Sequence, residues 1–462
     1  MAKGSSRNSF KTFIFLLIAV ISSAVLGIGV FLMISPESNI FGVSYVANIE
    51  KTLFKTVLKN GENINLEISD YNKIIFKTQN ANIKVLCGKD NANESNIVLE
   101  KNSFGYYKND SKTDYTYDYY ASGPILYFTL YEPEYSFLKL YGNTNLILNI
   151  SDFEILNPNI NFEFETENGS VTFGGATSQN EVNPSLITTQ RLSIITQNGN
   201  ININEKVKIT DCLSIMTNNG NTNINLDLET LQFFYKSNGG KLTTKDFTNN
   251  LSNLYLDTEQ GNLSLKNVNG GVNLYVLNGQ FNAKLIKGNF ETSQNINTTR
   301  VNIDKVEGNV KIVNEEGNFK VNIKEILGNV NIKTSGGNIK LDNLLGETNI
   351  QTKSAGVDIT MNKMNTKKLT INTESGNVLA NFKNISNVHL LKTLSGQINV
   401  KFSSNCAFFL NAQSEKGYIN KVWLNEKTTG EIINNLRIGL SPFFLLQLNS
   451  ETGNIIIDRY NE

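Results

Sequence analysis

The sequence predicts an all-β chain: a parallel β-solenoid with rungs of about 20 residues, preceded by one N-terminal transmembrane α-helix. Three observations predict it. A Thr/Ser-x-x-Gly column recurs through most of the chain, the residues flanking it alternate apolar and polar, and residues 12–34 form an apolar run without a charge.

The column reads Thr166…Gly169, Thr196…Gly199, Thr217…Gly220, Ser237…Gly240, Thr258…Gly261, Thr334…Gly337, Thr373…Gly376, Thr393…Gly396, Ser414…Gly417 and Ser450…Gly453. Gly279, Gly317 and Gly356 keep the glycine without the hydroxyl, and Thr292…Asn295 puts Asn, the residue that next best tolerates a left-handed backbone, in its place. A second glycine column, Gly288, Gly308, Gly328 and Gly346, runs about nine residues earlier. Each unit therefore carries two strands and two corners.

Strand parity assigns the faces. Val330, Ile332 and Thr334 share one side, as do Leu369, Ile371 and Thr373, while Asn331, Lys333 and Asn372 point the other way. One unit cannot bury a single apolar face alone. Stacking units about 4.8 Å apart builds a continuous core and pairs the backbones in parallel. The inward Thr or Ser just before the turn is placed to satisfy turn amides, and the glycine is expected to supply a positive φ.

Residues 12–34 are long enough, at about 1.5 Å per residue, to cross a hydrocarbon core of roughly 30 Å. Lys3, Arg7 and Lys11 precede the run and Glu37 is the first charge after it, so the positive-inside rule leaves the tail in the cytoplasm and the remainder outside. A signal peptide cleaved near Ser22-Ser23-Ala24 is the competing reading, and the apolar run continues past that site. The organisation expected is a cytoplasmic tail at 1–11, a transmembrane helix at 12–34, a connector at 35–60 with a short helix around Val46–Leu58, and an irregular β entry region at 61–160 with a Tyr-rich insertion at 104–142. The regular solenoid follows at 161–420, and C-terminal rungs with a cap at 421–462. In that last segment Trp423 and the Phe443-Phe444-Leu445-Leu446 run are expected to plug the open end, with one last rung at Ser450–Ile457 following or covering it.

Repeats such as Gly328-Asn329-Val330-Asn331-Ile332-Lys333-Thr334-Ser335-Gly336-Gly337-Asn338-Ile339-Lys340-Leu341 resemble bacterial adhesin-like β-solenoid domains of unknown function, over about residues 60–460. The resemblance implies an exported, often membrane-anchored, non-enzymatic surface protein, and it brings no catalytic motif.

Composition narrows the function classes. With 42 basic and 42 acidic residues there is no field to gather nucleic acid or cations. The single histidine, His389, aligns with Leu369 of the preceding unit and is read as a packed core position. Cys87, Cys212 and Cys406 lie far apart, form no disulfide framework and read as buried apolar residues. No catalytic residue, metal site or cofactor is expected. Gly239-Gly240-Lys241 lacks the upstream glycine and following Ser/Thr of a phosphate-binding loop. Polysaccharide-cleaving solenoids stack acidic residues on adjacent rungs. The column Glu315, Ser335, Ser354, Glu374, Leu394, Glu415 has no such run, and Asp304, Asp342 and Asp358 are read at different points of their rungs.

Ten of the 17 tyrosines fall between Gly105 and Gly142. Tyr106, Tyr107, Tyr115, Tyr117, Tyr119 and Tyr120, around the polar stretch Lys108–Asp114, are the candidate partner-binding residues, because a rigid amphipathic ring offers a large contact area. The opposing reading is that these tyrosines pave the outer faces of edge strands. The function expected is a membrane-anchored, adhesin-like solenoid displayed outside the cytoplasm to a surface protein or glycan, with the cytoplasmic membrane engaged through residues 12–34. The alternative is a structural spacer or self-associating envelope scaffold. A carbohydrate-active enzyme ranks third.

Overall fold

The structure is a computed structural model describing residues 37–461 with breaks, the longest being 47–55, 88–94, 108–114, 151–158 and 175–186. The backbone divides into two units: Met1–Glu154 with Glu165–Gly169, and Ile155–Phe164 with Ser170–Glu462.

In the first unit, Lys73–Thr78 pairs in parallel with Ile125–Tyr131, and Asn82–Cys87 with Asn145–Ile150. Two strands run against this grain. Thr116–Ser122 lies antiparallel on Ile125–Tyr131, and Ser95–Lys101 on Asn145–Ile150. Thr56–Val57 and Asn63–Leu66 pair antiparallel with Ser95–Lys101. The helix expected around Val46–Leu58 is not formed at its described ends, because Val46 closes the strand Val43–Val46 and Thr56–Val57 is itself a strand. Its middle lies outside the described residues.

The second unit is the solenoid. Each rung gives one strand to each of two parallel ladders. The first ladder runs through Val310, Val330, Thr348, Leu369 and His389 in register. The second runs through Ile339, Val357, Val378 and Ile398. The alternation read from the sequence holds. Ile332, Ile350, Ile371 and Leu391 form one fully buried column, and Ile339, Val357, Val378 and Ile398 another, all 0–2% exposed. Four such apolar side chains per rung contribute roughly 1.5–3 kcal/mol each, which drives stacking because no rung has an opposite sheet of its own.

The hydroxyl column works as expected. Thr196, Thr217, Thr373 and Thr393 are buried, and each Oγ1 accepts the backbone N–H of the glycine three residues on, at 2.8–3.0 Å. The glycines themselves serve two purposes. Gly337 has φ +108° and Gly240 φ +101°; there Thr334 and Ser237 instead donate to the carbonyls of Gly336 and Gly239. Gly376 has no positive φ. A Cβ on it would stand 1.9 Å from the carbonyl oxygen of Ala355 and 2.7 Å from Thr373 Oγ1. Most corners therefore need glycine for space between rungs rather than for backbone conformation. Gly308, Gly328 and Gly346 show the same in the second column, each pressed on the carbonyl of the glycine before it. At the rung of Thr352 the corner position is Ala355, whose N–H meets Thr352 Oγ1 at 2.9 Å, and Gly356 opens the next strand. Asn295 lies outside the described residues.

At the C-terminal end the rungs do not stack in chain order. Leu445–Ser450 lies between His389–Thr393 and Phe408–Ser414, parallel to both, with His389↔Leu446 on one side and Leu410↔Leu446 on the other. Ile455–Tyr460 is likewise held between Ile398–Ser403 and Tyr418–Lys421. The chain skips one rung position, builds the next, and returns to fill the gap. The ladders then end on antiparallel strands, Ile432–Ile438 on Phe408–Ser414 and Glu426–Thr429 on Tyr418–Lys421. These strands, with Trp423 packed edge-on to Phe402 at 5.4 Å, close the end. The run expected to be the plug is split: Leu446 is fully buried in the inserted rung, and Phe443 is 84% exposed.

The transmembrane helix is the part of the predicted fold class that is overturned. Every described element is a strand or a single 3-10 turn, and among the described residues no helix is long and apolar enough to cross a membrane. The fold class is corrected to all-β. The prediction rested on the length and hydropathy of residues 12–34, which carry no periodicity to fix a conformation, and that segment lies outside the described residues.

Candidate binding surfaces

The structure places five of the six candidate tyrosines on strands, in two groups, with Tyr115 just before the second. Tyr106 and Tyr107 belong to Phe104–Tyr107, which pairs antiparallel with Tyr135–Tyr141; their side chains lie outside the described residues. The polar stretch 108–114 does too. Tyr115 is half-buried, and its hydroxyl meets Thr144 Oγ1 at 2.5 Å. Tyr117, Tyr119 and Tyr120 sit on Thr116–Ser122, one arm of a hairpin that turns at Gly123 (φ +59°) into Ile125–Tyr131.

Register explains how three near-consecutive tyrosines are all exposed. Tyr117 and Tyr119 stand opposite Leu130 and Phe128, and Tyr120 opposite Tyr127 on the other face. Tyr120 stacks on Tyr127 (centroids 5.0 Å apart, planes 11° apart) and Tyr117 on Phe128 (5.5 Å, 16°). The three remain 39–52% exposed, as does Tyr131. Tyr131 donates to Asp118 at 2.8 Å, and that bond holds its phenol above its ordinary pKa. The rings are thus fixed by cross-strand pairing and stacking before any partner arrives. Tyr117, Tyr119 and Tyr120 thus lie on a paired strand with their rings exposed.

Sequence reasoning missed a second surface. The outward face of the first ladder is concave. One groove of about 740 Å³ runs from Tyr255 to Val313 past Asp257, Asn273, Glu291 and Lys311. Another, of about 540 Å³, is lined by Glu315, Lys333, Gln351, Lys353, Asn372 and Glu374. The signal was available: Phe234, Tyr255, Asn273, Glu291 and Lys311 occupy one outward position on successive rungs. Phe234 and Tyr255 stack at 4.8 Å with planes 5° apart. Lys333 bridges to Glu315 at 2.6 Å and holds its carboxyl below the usual range.

On the second ladder, Lys324 contacts Asp304 at 2.6 Å, and this hydrogen bond raises the lysine pKa. The ladder register also aligns Asp304 and Asp342 with Lys324 between them, whereas Asp358 stands two positions aside, opposite Lys340. Burial raises the Asp358 carboxyl, against the pull of Lys340. His389 is 1% exposed, stacks on Phe382, and accepts the Leu369 N–H on Nδ1 at 3.2 Å. It is a core group, as its alignment implied. Cys406 is buried and Cys212 half-buried. Among the described residues no group of His, Cys, Asp or Glu is arranged to hold a metal ion.

No curated protein matches the chain. Three solved structures resemble it. They are a "putative cell adhesion protein" from Clostridium sporogenes (8% identity, 86% of this chain and 98% of that one, TM-score 0.15), a "putative adhesin" from Bacteroides fragilis (11%, 87% and 98%, 0.17) and a "putative adhesin" from Parabacteroides distasonis (9%, 87% and 97%, 0.18). At these TM-scores none of the three carries an argument. The match to a family model does: residues 273–435 match the Toastrack DUF4097 model, which bears out the family resemblance read from the rhythm of the repeats.

Proposed function

We propose that this chain is an adhesin-like, non-enzymatic β-solenoid that acts outside the cytoplasm and presents a binding surface to a protein or glycan partner. The observation that carries this reading is the exposed tyrosine hairpin, where Tyr117, Tyr119 and Tyr120 are pre-ordered on paired strands. Such rings lose little side-chain entropy on binding, so their contact area converts efficiently into affinity. The match of residues 273–435 to the Toastrack DUF4097 model supports the adhesin-like part of this reading. The test is the triple change Tyr117→Ser, Tyr119→Ser, Tyr120→Ser in the full chain, with adherence to cells and glycan-coated surfaces as the readout. Adherence should fall at least tenfold with the unfolding midpoint of the solenoid unchanged. Equal adherence would overturn the reading.

Lateral or end-to-end self-association is a second reading. Leu440 and Phe443, beside the terminal antiparallel strands, are 87% and 84% exposed. Sedimentation of the full chain over a concentration series, with Leu440→Ser and Phe443→Ser as controls, separates the two.

A further inference from the structure

We propose that the outer groove of the first ladder is a binding site for an uncharged oligosaccharide lying along the rungs, with Tyr255 as its stacking ring. The site belongs to the solenoid unit and uses none of the hairpin tyrosines, so it stands or falls independently of the reading above.

One ring anchors the site. Tyr255 is 40% exposed, and Phe234 of the preceding rung covers one of its faces, its centroid 4.8 Å away and its plane nearly parallel. On the following rung the register puts Asn273, a short amide, in the same position. The second face of Tyr255 therefore borders the groove of about 740 Å³ instead of meeting another aromatic ring. Beyond Asn273 the column continues with Glu291 and then Lys311. To the side stand Tyr275 and Asp257, the latter 3.4 Å from Lys236.

A ligand running along this column meets an aromatic face, an amide, a carboxylate and an ammonium, one per rung. That sequence suits a saccharide. The C–H face of a pyranose packs on an aromatic ring, and its hydroxyls both donate to carboxylates and accept from amide and ammonium N–H groups. Rungs recur about every 4.8 Å, close to the length of one sugar residue, so a repeating ligand keeps step with the repeating scaffold. Lys236 and Lys311 balance Asp257 and Glu291, so the groove carries no net charge to select a phosphate or uronate, which sets the ligand as uncharged. A protein partner is disfavoured because the groove sets two separate rings, Tyr255 and Tyr275, among Asp257, Asn273, Glu291 and Lys311 rather than presenting a cluster of exposed apolar anchors.

The test uses the full chain with three probes: cellotetraose, chitotetraose and a hyaluronan tetrasaccharide. Saturation-transfer NMR should show contact with at least one of the neutral tetrasaccharides. Tyr255→Ala should weaken that binding at least tenfold, and Glu291→Gln several-fold. Tyr255→Phe keeps the ring and should keep the binding. The proposal is overturned by no transfer to either neutral probe at millimolar concentration, by binding of hyaluronan alone, or by a folded Tyr255→Ala that binds unchanged. It is overturned too if saccharide binding is lost with the hairpin tyrosines and retained in Tyr255→Ala.

Discussion

The side-chain carbonyl of Asn309 accepts the backbone N–H of Asn329, one rung further on, at 2.8 Å. Asn289 does the same for Asn309 and Asn329 for Glu347, both at 2.9 Å, and Asn377 for Gln397. The asparagine after the corner glycine thus ties each rung to the next where the regular ladder is interrupted. An AT-rich genome would explain the abundance of Asn but not its position. The position follows from the need to pair an N–H at every corner.

Removing one of these ties should be measurable. Asn309→Ala deletes the acceptor and is expected to cost about 0.5–1.5 kcal/mol in urea unfolding. Asn309→Asp keeps an acceptor oxygen and should cost less than half as much at neutral pH. If the two variants are equally destabilised, the side-chain carbonyl is not what matters.

The corner glycines divide by cause. Gly376→Ala introduces a Cβ where the Ala355 carbonyl oxygen is 1.9 Å away, so it should lose about 1–3 kcal/mol by crowding alone. The exposed change Lys333→Thr surrenders only a surface ion pair with Glu315 and should stay within about 0.5 kcal/mol. Similar midpoints for the two would contradict the assignment of Gly376 to a crowded corner.

Leu448 is fully buried in the inserted rung, flanked by Leu391 and Ala412. Leu448→Ala should cost about 2–5 kcal/mol. Deleting residues 445–462 should do more than shorten the array, because two rungs would be left without the one between them. Limited proteolysis should then release residues 404–444 ahead of the upstream rungs. A truncated chain as resistant as the parent over that segment would refute the insertion.

His389 makes stability depend on pH. Burial lowers its pKa to about 4, against an ordinary value of 6.5. Between those values the unfolded chain binds a proton that the folded chain refuses, so stability falls as pH drops from 6.5 towards 4. Below both values this group has no further effect. The loss amounts to about 3 kcal/mol. His389→Gln removes the titration and can still accept the Leu369 N–H, so its urea midpoint should vary less across that window. Parallel slopes for parent and variant would rule out His389 as the source.

Much of the solenoid was legible because its causes are local. Ile332, Ile371 and Leu391 announce a buried column by parity, and Thr373 with Gly376 announces a corner by spacing. The inward place of His389 followed from alignment with Leu369. Other causes were not local. Gly376 stands three residues after a threonine just as Gly337 does, yet only Gly337 has a positive φ; the turns differ in their hydrogen bonds, Thr334 donating to the Gly336 carbonyl and Thr373 accepting the Gly376 N–H. The tyrosines were visible as a cluster, but the division of Tyr106 and Tyr107 from Tyr117, Tyr119 and Tyr120 depends on strand pairing. The groove at Tyr255 escaped because its members are about 20 residues apart, and become one column only in register.

The sequence by itself determined the rung: its two strands, its inward apolar column, its hydroxyl before the turn and its glycine at the corner. Each follows from the period of the side chains and the space available to one unit. Only the tertiary structure decided the order of the rungs. Leu445–Tyr460 fills a gap between rungs that precede it in the chain. A parallel ladder offers the same N–H and C=O groups on every rung, so the backbone does not distinguish the next rung in sequence from the next in space. Side-chain packing at the end of the array makes that choice.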